Sequence, residues 1–220
     1  MSCSGHSPYP GLFITIEGGE GSGKSTLAAK LGALLKERGY TVMHTREPGG
    51  SPLSEHIREL LLDPNRKYPI GERAELLLFL AGRAEHVEEK ILPALRRGEI
   101  VICERFHDST IAYQGGARHL GMHYVSELCH HIFGAVLEPT CTLFLDLDPA
   151  DGKERVKKRR SYDRIEQEDI HFHQEVRYCY LVLADQCPGR ITLLDATLPP
   201  DELAASAMNV LEKILPVRNR

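Results

Sequence analysis

Five short runs along the chain, 12–17, 41–45, 100–104, 140–146 and 190–194, are largely apolar and rich in β-branched and aromatic residues. Continuous apolar runs of this kind suit strands buried on both faces. Between them the apolar positions recur with helical spacing, which predicts helices over 24–38, 51–62, 71–97, 122–133, 149–160, 166–187 and 200–215. Gly39 and Gly98 follow two of these stretches, where a helix end favours a left-handed residue. Strand and helix alternate along the chain. That order predicts an α/β fold of three layers, a five-stranded parallel sheet with helices on both faces. No repeat, low-complexity tract or long linker divides the 220 residues, so a single domain over 1–220 is expected, with a short flexible amino terminus over about 1–10.

Open parallel sheets bind ligands beyond the carboxyl ends of their strands. The loops expected there contain residues 18–25, 46–50, 105–114 and the stretch from 148 onward, and the first three are dense in Gly, Arg and hydroxyl side chains. The first holds Gly18-Gly19-Glu20-Gly21-Ser22-Gly23-Lys24-Ser25, followed by Thr26. This fits G-x-x-x-x-G-K-[ST] between an apolar strand and a helix start. Glycines let consecutive backbone N–H groups turn toward phosphate oxygens, and the helix amino terminus adds partial positive charge. Lys24 is then placed to reach the β- and γ-phosphates, and the Ser25 hydroxyl to ligate Mg²⁺. Residues 18–26 are therefore the expected ATP site. An ordinary Gly-rich turn would leave the adjoining Gly23-Lys24-Ser25 unexplained.

A phosphate loop does not say what accepts the phosphoryl group. Arg46 and Arg105 follow strand runs, and Arg83 lies in a helical stretch. Singly, each suits a solvated surface charge. Together they suit a second anion, because a guanidinium binds a phosphate monoester through a two-pronged contact. A neutral nucleoside acceptor would not need them. A nucleotide-dependent switch or assembly ATPase would need no acceptor at all, and the guanine-reading Asn-Lys-x-Asp stretch of the GTPase version is absent.

Four further stretches carry a resemblance. Thr45-Arg-Glu-Pro-Gly-Gly50, Glu104-Arg-Phe106, Asp108-Ser-Thr-Ile-Ala-Tyr-Gln-Gly-Gly116 and Asp163-Arg-Ile-Glu-Gln167 resemble thymidylate kinase, in the order and spacing of its bacterial members, over about 12–197. The resemblance implies the P-loop nucleoside monophosphate kinase-like version of the three-layer fold. It also implies transfer of the ATP γ-phosphate to dTMP, a step in dTTP supply, with Mg²⁺ as cofactor, in a homodimer built partly on the 71–97 helix. Arg46 and Arg105 resemble the contacts to the dTMP phosphate. Phe79 resembles the aromatic that stacks on thymine, although at helical spacing a core aromatic would look the same. Arg83 resembles the donor to a thymine carbonyl. Ser109, Thr110, Tyr113 and Gln114 resemble the segment that reads base and deoxyribose, with Tyr113 crowding the 2′ position, and Glu20 resembles the acidic contact to the sugar 3′-hydroxyl. The basic run 155–164 resembles a lid over ATP, within a segment of about 150–164. The phosphate loop carries no arginine, so the resemblance assigns the catalytic arginine to the lid: Arg159 by alignment, with Arg160 and Arg164 as competitors. The family's usual Asp-Arg-aromatic motif is Glu104-Arg105-Phe106 here. Glu104 is expected to keep the position near the metal despite its extra methylene.

Composition narrows the partners. A net charge of −4 gives no general attraction to nucleic acid or anionic membrane, and no apolar run approaches membrane-spanning length. Without a leader-like amino terminus, a cytoplasmic protein is expected. The six cysteines form no C-x-x-C pair and suggest reduced, metal-free thiols. The paired histidines 130–131 and 171/173 lack a completing shell and suggest surface or packing residues.

Overall fold

A computed structural model describes residues 8–134, 138–157 and 162–216. The expected amino-terminal flexible segment lies mostly outside these residues, as do Arg159 and Arg160 of the basic run. In chain order the elements are β1 (Leu12–Gly18), α1 (Lys24–Glu37), β2 (Val42–Arg46), α2 (Pro52–Leu62), α3 (Glu72–His86), α4 (Leu92–Arg96), β3 (Ile100–Glu104), α5 (His107–Thr110), α6 (Met122–Phe133), β4 (Cys141–Asp146), α7 (Pro149–Val156), α8 (Ile170–Gln186), β5 (Ile191–Asp195) and α9 (Pro200–Leu211). The sheet is parallel throughout, in the order β2-β3-β1-β4-β5. β1 sits at its centre, with Ile14 beside Ile102 of β3 and Cys141 of β4.

Alternation along β1 divides the core. Ile14 and Ile16 pack with Leu27, Leu31 and Leu35 of α1 and with Ala207 and Leu211 of α9. Phe13 faces the other side, among Val87, Ile91, Val101 and Phe106. Val125 of α6 and Val176 and Tyr180 of α8 complete that layer against Phe144 of β4. The central strand thus has helices above and below it, as continuous apolar runs require.

Two expectations need correction. The 71–97 stretch is not one regular helix: a π-helical turn, Val87–Ile91, separates α3 from α4. Pro93 explains the break, because it has no N–H for the Glu89 carbonyl and its ring crowds that carbonyl. The preceding turn widens to relieve the clash. The second correction is larger. The loop expected over 105–114 is helical for most of its length: α5 continues into a π-helical segment, Ile111–Ala117, and nearly all of it is buried. Its glycines mark close packing, not a turn. A Cβ on Gly116 would lie 2.2 Å from Cys179 Sγ of α8, and one on Gly115 would lie 2.9 Å from Met122 Cα.

Gly39 and Gly98 take φ of +84° and +78°, the expected left-handed caps. Cys103, Cys129, Cys141 and Cys179 are free thiols, but Cys187 is disulfide-bonded. The expectation of a wholly reduced set fails there, since pairing depends on which sulfurs the fold brings together and chain spacing does not encode that. Among the described residues, no helix is long and apolar enough to cross a membrane.

A buried charge pair ties α5 to the sheet. Arg190 Nη1 and Nη2 donate to the two Asp108 oxygens at 2.7 and 2.8 Å, and Nη1 also reaches Thr142 Oγ1 at 2.8 Å. Both side chains are nearly inaccessible. Truncating one partner strands the other's charge, so Arg190→Met should destabilise the protein by about 3–5 kcal/mol in urea unfolding. A loss below about 1 kcal/mol, the worth of an exposed pair, would show that Asp108 is satisfied without it.

Candidate active site

The phosphate loop takes its shape from glycines in conformations other residues resist. Gly18, Gly21 and Gly23 have φ of +143°, +72° and +94°. Gly21 also packs on α7: a Cβ there would lie 2.4 Å from the Gly152 carbonyl oxygen, and a Cβ on Gly152 would lie 2.3 Å from that of Glu20. Lys24 Nζ donates to the Gly18 and Gly19 carbonyls at 3.1 and 2.7 Å. Burial pushes the Lys24 ammonium down to about 8, and the nearby Arg105 charge adds to this against Glu20 and Glu104. A buried cation of this kind gains strongly from an incoming phosphate.

Two clefts meet at this loop. One is lined by residues 20–26 together with Arg155 and the 196–200 turn. Arg155 belongs to the basic run but carries no expected site role of its own; its Nη1 donates to the Ala196 carbonyl at 3.0 Å. The other cleft is lined by Arg46, Phe79, Arg83, Arg105, Ser109, Thr110, Tyr113 and Gln114, along with Glu20, Lys24, Ser25 and Glu104. Every residue expected to read the acceptor therefore lines a single cleft. The two clefts share Glu20, Lys24 and Ser25.

Arg105 stands where they join. It is a non-glycine residue at φ +67°, a strained backbone of the sort found at functional sites. Its Nη1 donates to the Gly18 carbonyl at 3.0 Å, its Nη2 pairs with the Glu20 carboxylate, and its guanidinium lies 5.0 Å from the Tyr113 ring centre. Beneath it, Glu17 is fully buried and accepts from Phe106 N at 2.7 Å, Ser109 Oγ at 2.5 Å and Tyr180 Oη at 2.9 Å. Burial and the nearby Asp108 push the Glu17 carboxyl up. Arg46, about half exposed, is held by Glu55 at 3.0 Å.

Arg83 is buried, and its Nε donates to Glu47 Oε2 at 2.6 Å. Glu47 Oε1 lies 3.0 Å from His86 Nδ1, and His86 Nε2 lies 2.7 Å from Thr45 Oγ1. Ligand atoms of Glu47, His86 and Cys103 fall within 4.8 Å of one another, all buried. Glu47 is already matched by the Arg83 guanidinium, and burial pushes the Cys103 thiol well up, so the cluster behaves as a salt bridge and not as a cation shell. It leaves Arg83 Nη1 buried with no hydrogen-bond partner among the described residues, on a side chain that lines the cleft. Glu47 and His86 are not legible as site residues in the sequence; the Thr45-Arg-Glu-Pro-Gly-Gly stretch points at Glu47 only through its neighbour.

Glu104 reaches the phosphate loop. Ser25 Oγ donates to its Oε2 at 2.5 Å, while His44 Nε2 lies 2.9 Å from its Oε1. Burial would raise the Glu104 carboxyl, but the hydrogen bonds from His44 and Ser25 hold it below the usual range. The longer side chain thus ends between Ser25 and a histidine partner, His44, that the motif itself does not contain. Of the lid arginines, Arg164 donates to Glu75 Oε2 and to the Leu61 carbonyl, and so anchors the segment's far end instead of facing ATP.

Comparison with known proteins agrees with this geometry. The family model described as thymidylate kinase matches residues 16–207. The chain belongs to the thymidylate kinase family. It is 49% identical over 212 residues to the thymidylate kinase of Protochlamydia amoebophila, covering 93% of this chain and 94% of that one. It is 48% identical over 196 residues to the thymidylate kinase of Deinococcus radiodurans, covering 89% and 93%. The crystal structure of thymidylate kinase from Ehrlichia chaffeensis superposes with a TM-score of 0.76 at 31% identity, covering 91% of this chain and 98% of that one. The five-stranded parallel sheet is accordingly that of a P-loop kinase.

Glu104 gives the sharpest test of the site. Glu104→Gln keeps its shape but removes the charge beside Ser25, and kcat should fall at least tenfold, about 1.4 kcal/mol in the barrier. An unchanged kcat would remove Glu104 from the chemistry.

Proposed function

We propose that this chain transfers the γ-phosphoryl group of ATP to dTMP, giving ADP and dTDP. The observation that carries this reading is the pair of clefts joined at Glu20, Lys24 and Ser25, one edged by the phosphate loop and the other by Arg46 and Arg105. A dianionic acceptor fits guanidinium groups; a neutral sugar does not need them.

In this reading ATP lies along residues 18–26, with its phosphates on the loop amides and Lys24. Mg²⁺ suits the oxygen donors at Ser25 and Glu104, and when bound it neutralises charge on the β- and γ-phosphates. Arg46 and Arg105 hold the dTMP phosphate. To do so Arg105 exchanges its contact with Glu20 for one with the phosphate, and the Glu20 carboxylate lies beside the sugar 3′-hydroxyl. Phe79 stacks on the base, Arg83 donates to its carbonyl, and Ser109, Thr110, Tyr113 and Gln114 line the remaining base and sugar contacts. A lid arginine, Arg159 by alignment, stabilises charge on the moving group. Phosphoryl transfer asks mainly for alignment and charge neutralisation.

The reading extends to a homodimer in the cytoplasm. Leu53 and Leu60 of α2 and Leu77 of α3 are about half exposed or more, and they give these helices an apolar surface fit for a second copy.

A coupled ADP-release assay across the common nucleoside monophosphates, with Mg²⁺ and ATP, tests the assignment. dTMP should give the highest kcat/KM. A clear preference for CMP, AMP or GMP would overturn the acceptor while leaving a phosphotransferase in place.

A further inference from the structure

Glu75 is a carboxylate almost wholly buried in α3, bonded to Gln114 of the acceptor cleft. Its surroundings are more polar than a core position needs. Gln114 Nε2 donates to its Oε1 at 2.9 Å, Arg118 Nε approaches the same oxygen at 3.3 Å, and Arg164 Nη2 donates to Oε2 at 2.5 Å. Arg118 is itself held by Glu168 at 2.6 Å, and Arg164 by the Leu61 carbonyl at 2.7 Å. Burial alone would push the Glu75 carboxyl up, yet the bonds from Gln114, Arg118 and Arg164 outweigh it and keep the group ionised.

An ionised carboxylate can only accept hydrogen bonds. Gln114 must therefore turn its NH₂ toward Glu75, and the amide cannot flip while the two arginines fix the carboxylate. The Gln114 carbonyl, which makes no hydrogen bond among the described residues, is left for the cleft that Gln114 lines. Arg83, whose Nη1 is buried without a hydrogen-bond partner among the described residues, lines the same cleft and is its donor to the base. One donor and one acceptor complement the O4 carbonyl and N3–H of thymine. Cytosine presents the reverse pair, an amino donor and a bare N3 acceptor, and meets like with like at both positions.

We propose that Glu75 is a positioning residue for base selection: by fixing the orientation of the Gln114 amide, it makes the cleft accept thymine and reject cytosine. The inference rests on the assignment of dTMP as acceptor and adds to it a residue that touches no substrate. Sites that leave a buried polar group facing its own kind discriminate strongly. Releasing the amide should cost selectivity more than rate.

The test compares kcat/KM for dTMP and dCMP in the native enzyme, Glu75→Gln, Gln114→Met and the double variant. In Glu75→Gln the neutral amide at position 75 accepts either face of the Gln114 amide, so the dTMP/dCMP ratio should fall at least tenfold while KM for ATP stays unchanged. In the Gln114→Met background the same Glu75 change should leave the ratio where it was, because the two act as one unit. Equal losses for both nucleotides, with the native ratio kept, would overturn the inference and leave Glu75 a structural residue. A further fall in the double variant would overturn it too. If the native enzyme itself shows no preference for dTMP, the acceptor assignment fails first, which is a separate outcome. Should Glu75→Gln not fold, Glu75→Asp draws the carboxylate back from Gln114 and should lower the ratio in the same direction; an unchanged ratio there counts against the proposal.

Discussion

Buried positive charge is the constraint on which the rest of this structure depends. Arg83 is buried, and Lys24 and Arg105 are partly so, where the clefts open beyond the carboxyl edge of the sheet. A cation so placed is costly unless an anion is near. The fold meets that demand with its own oxygens, and each cation keeps part of its bonding capacity toward the clefts. Lys24 rests on loop carbonyls, Arg105 on Glu20 and Gly18, and Arg83 on Glu47. At Lys24, phosphate can take over from the neutral loop carbonyls without leaving an unmatched charge behind.

The same requirement recurs one layer out. Glu47 is steadied by His86, Glu104 by His44, and Glu75 by two arginines and an amide. Each of these links joins two or more elements, so the orientation of a side chain in the cleft is decided by contacts several residues away from it. Glu17, buried under the Arg105 turn, bonds β1 to α5 and α8 at once. The central strand therefore anchors the strained residue as well as the core.

Glycine serves two separate ends. In the phosphate loop it permits positive φ, and the Gly21–Gly152 approach lets α7 pack directly on the loop backbone. In the 111–117 segment it permits contact instead, with Cys179 and Met122 closing on Gly116 and Gly115. That second use explains why a stretch rich in hydroxyl, amide and glycine residues is helical and buried, although local propensity would place it in a loop.

The alternation of strand and helix, the helical period and the phosphate loop were all legible along the chain, because periodicity and the Gly-Lys-Ser signature are local properties of neighbouring residues. The residues expected to read an acceptor came from family resemblance, and one cleft gathers all of them. What the chain could not display were Glu75, Glu47, His86 and His44. They are ordinary helix, loop and strand residues until their partners arrive from 39 positions away in the Glu75–Gln114 pair, or 60 in the His44–Glu104 pair. The Pro93 distortion was visible as a residue, but its outcome, a widened turn and not a full stop, depended on the packing around it. Pairing at Cys187 was equally invisible. Local chemistry follows from short-range sequence, whereas the direction in which an amide or guanidinium faces follows from burial and distant charge, and only the folded chain brings those together.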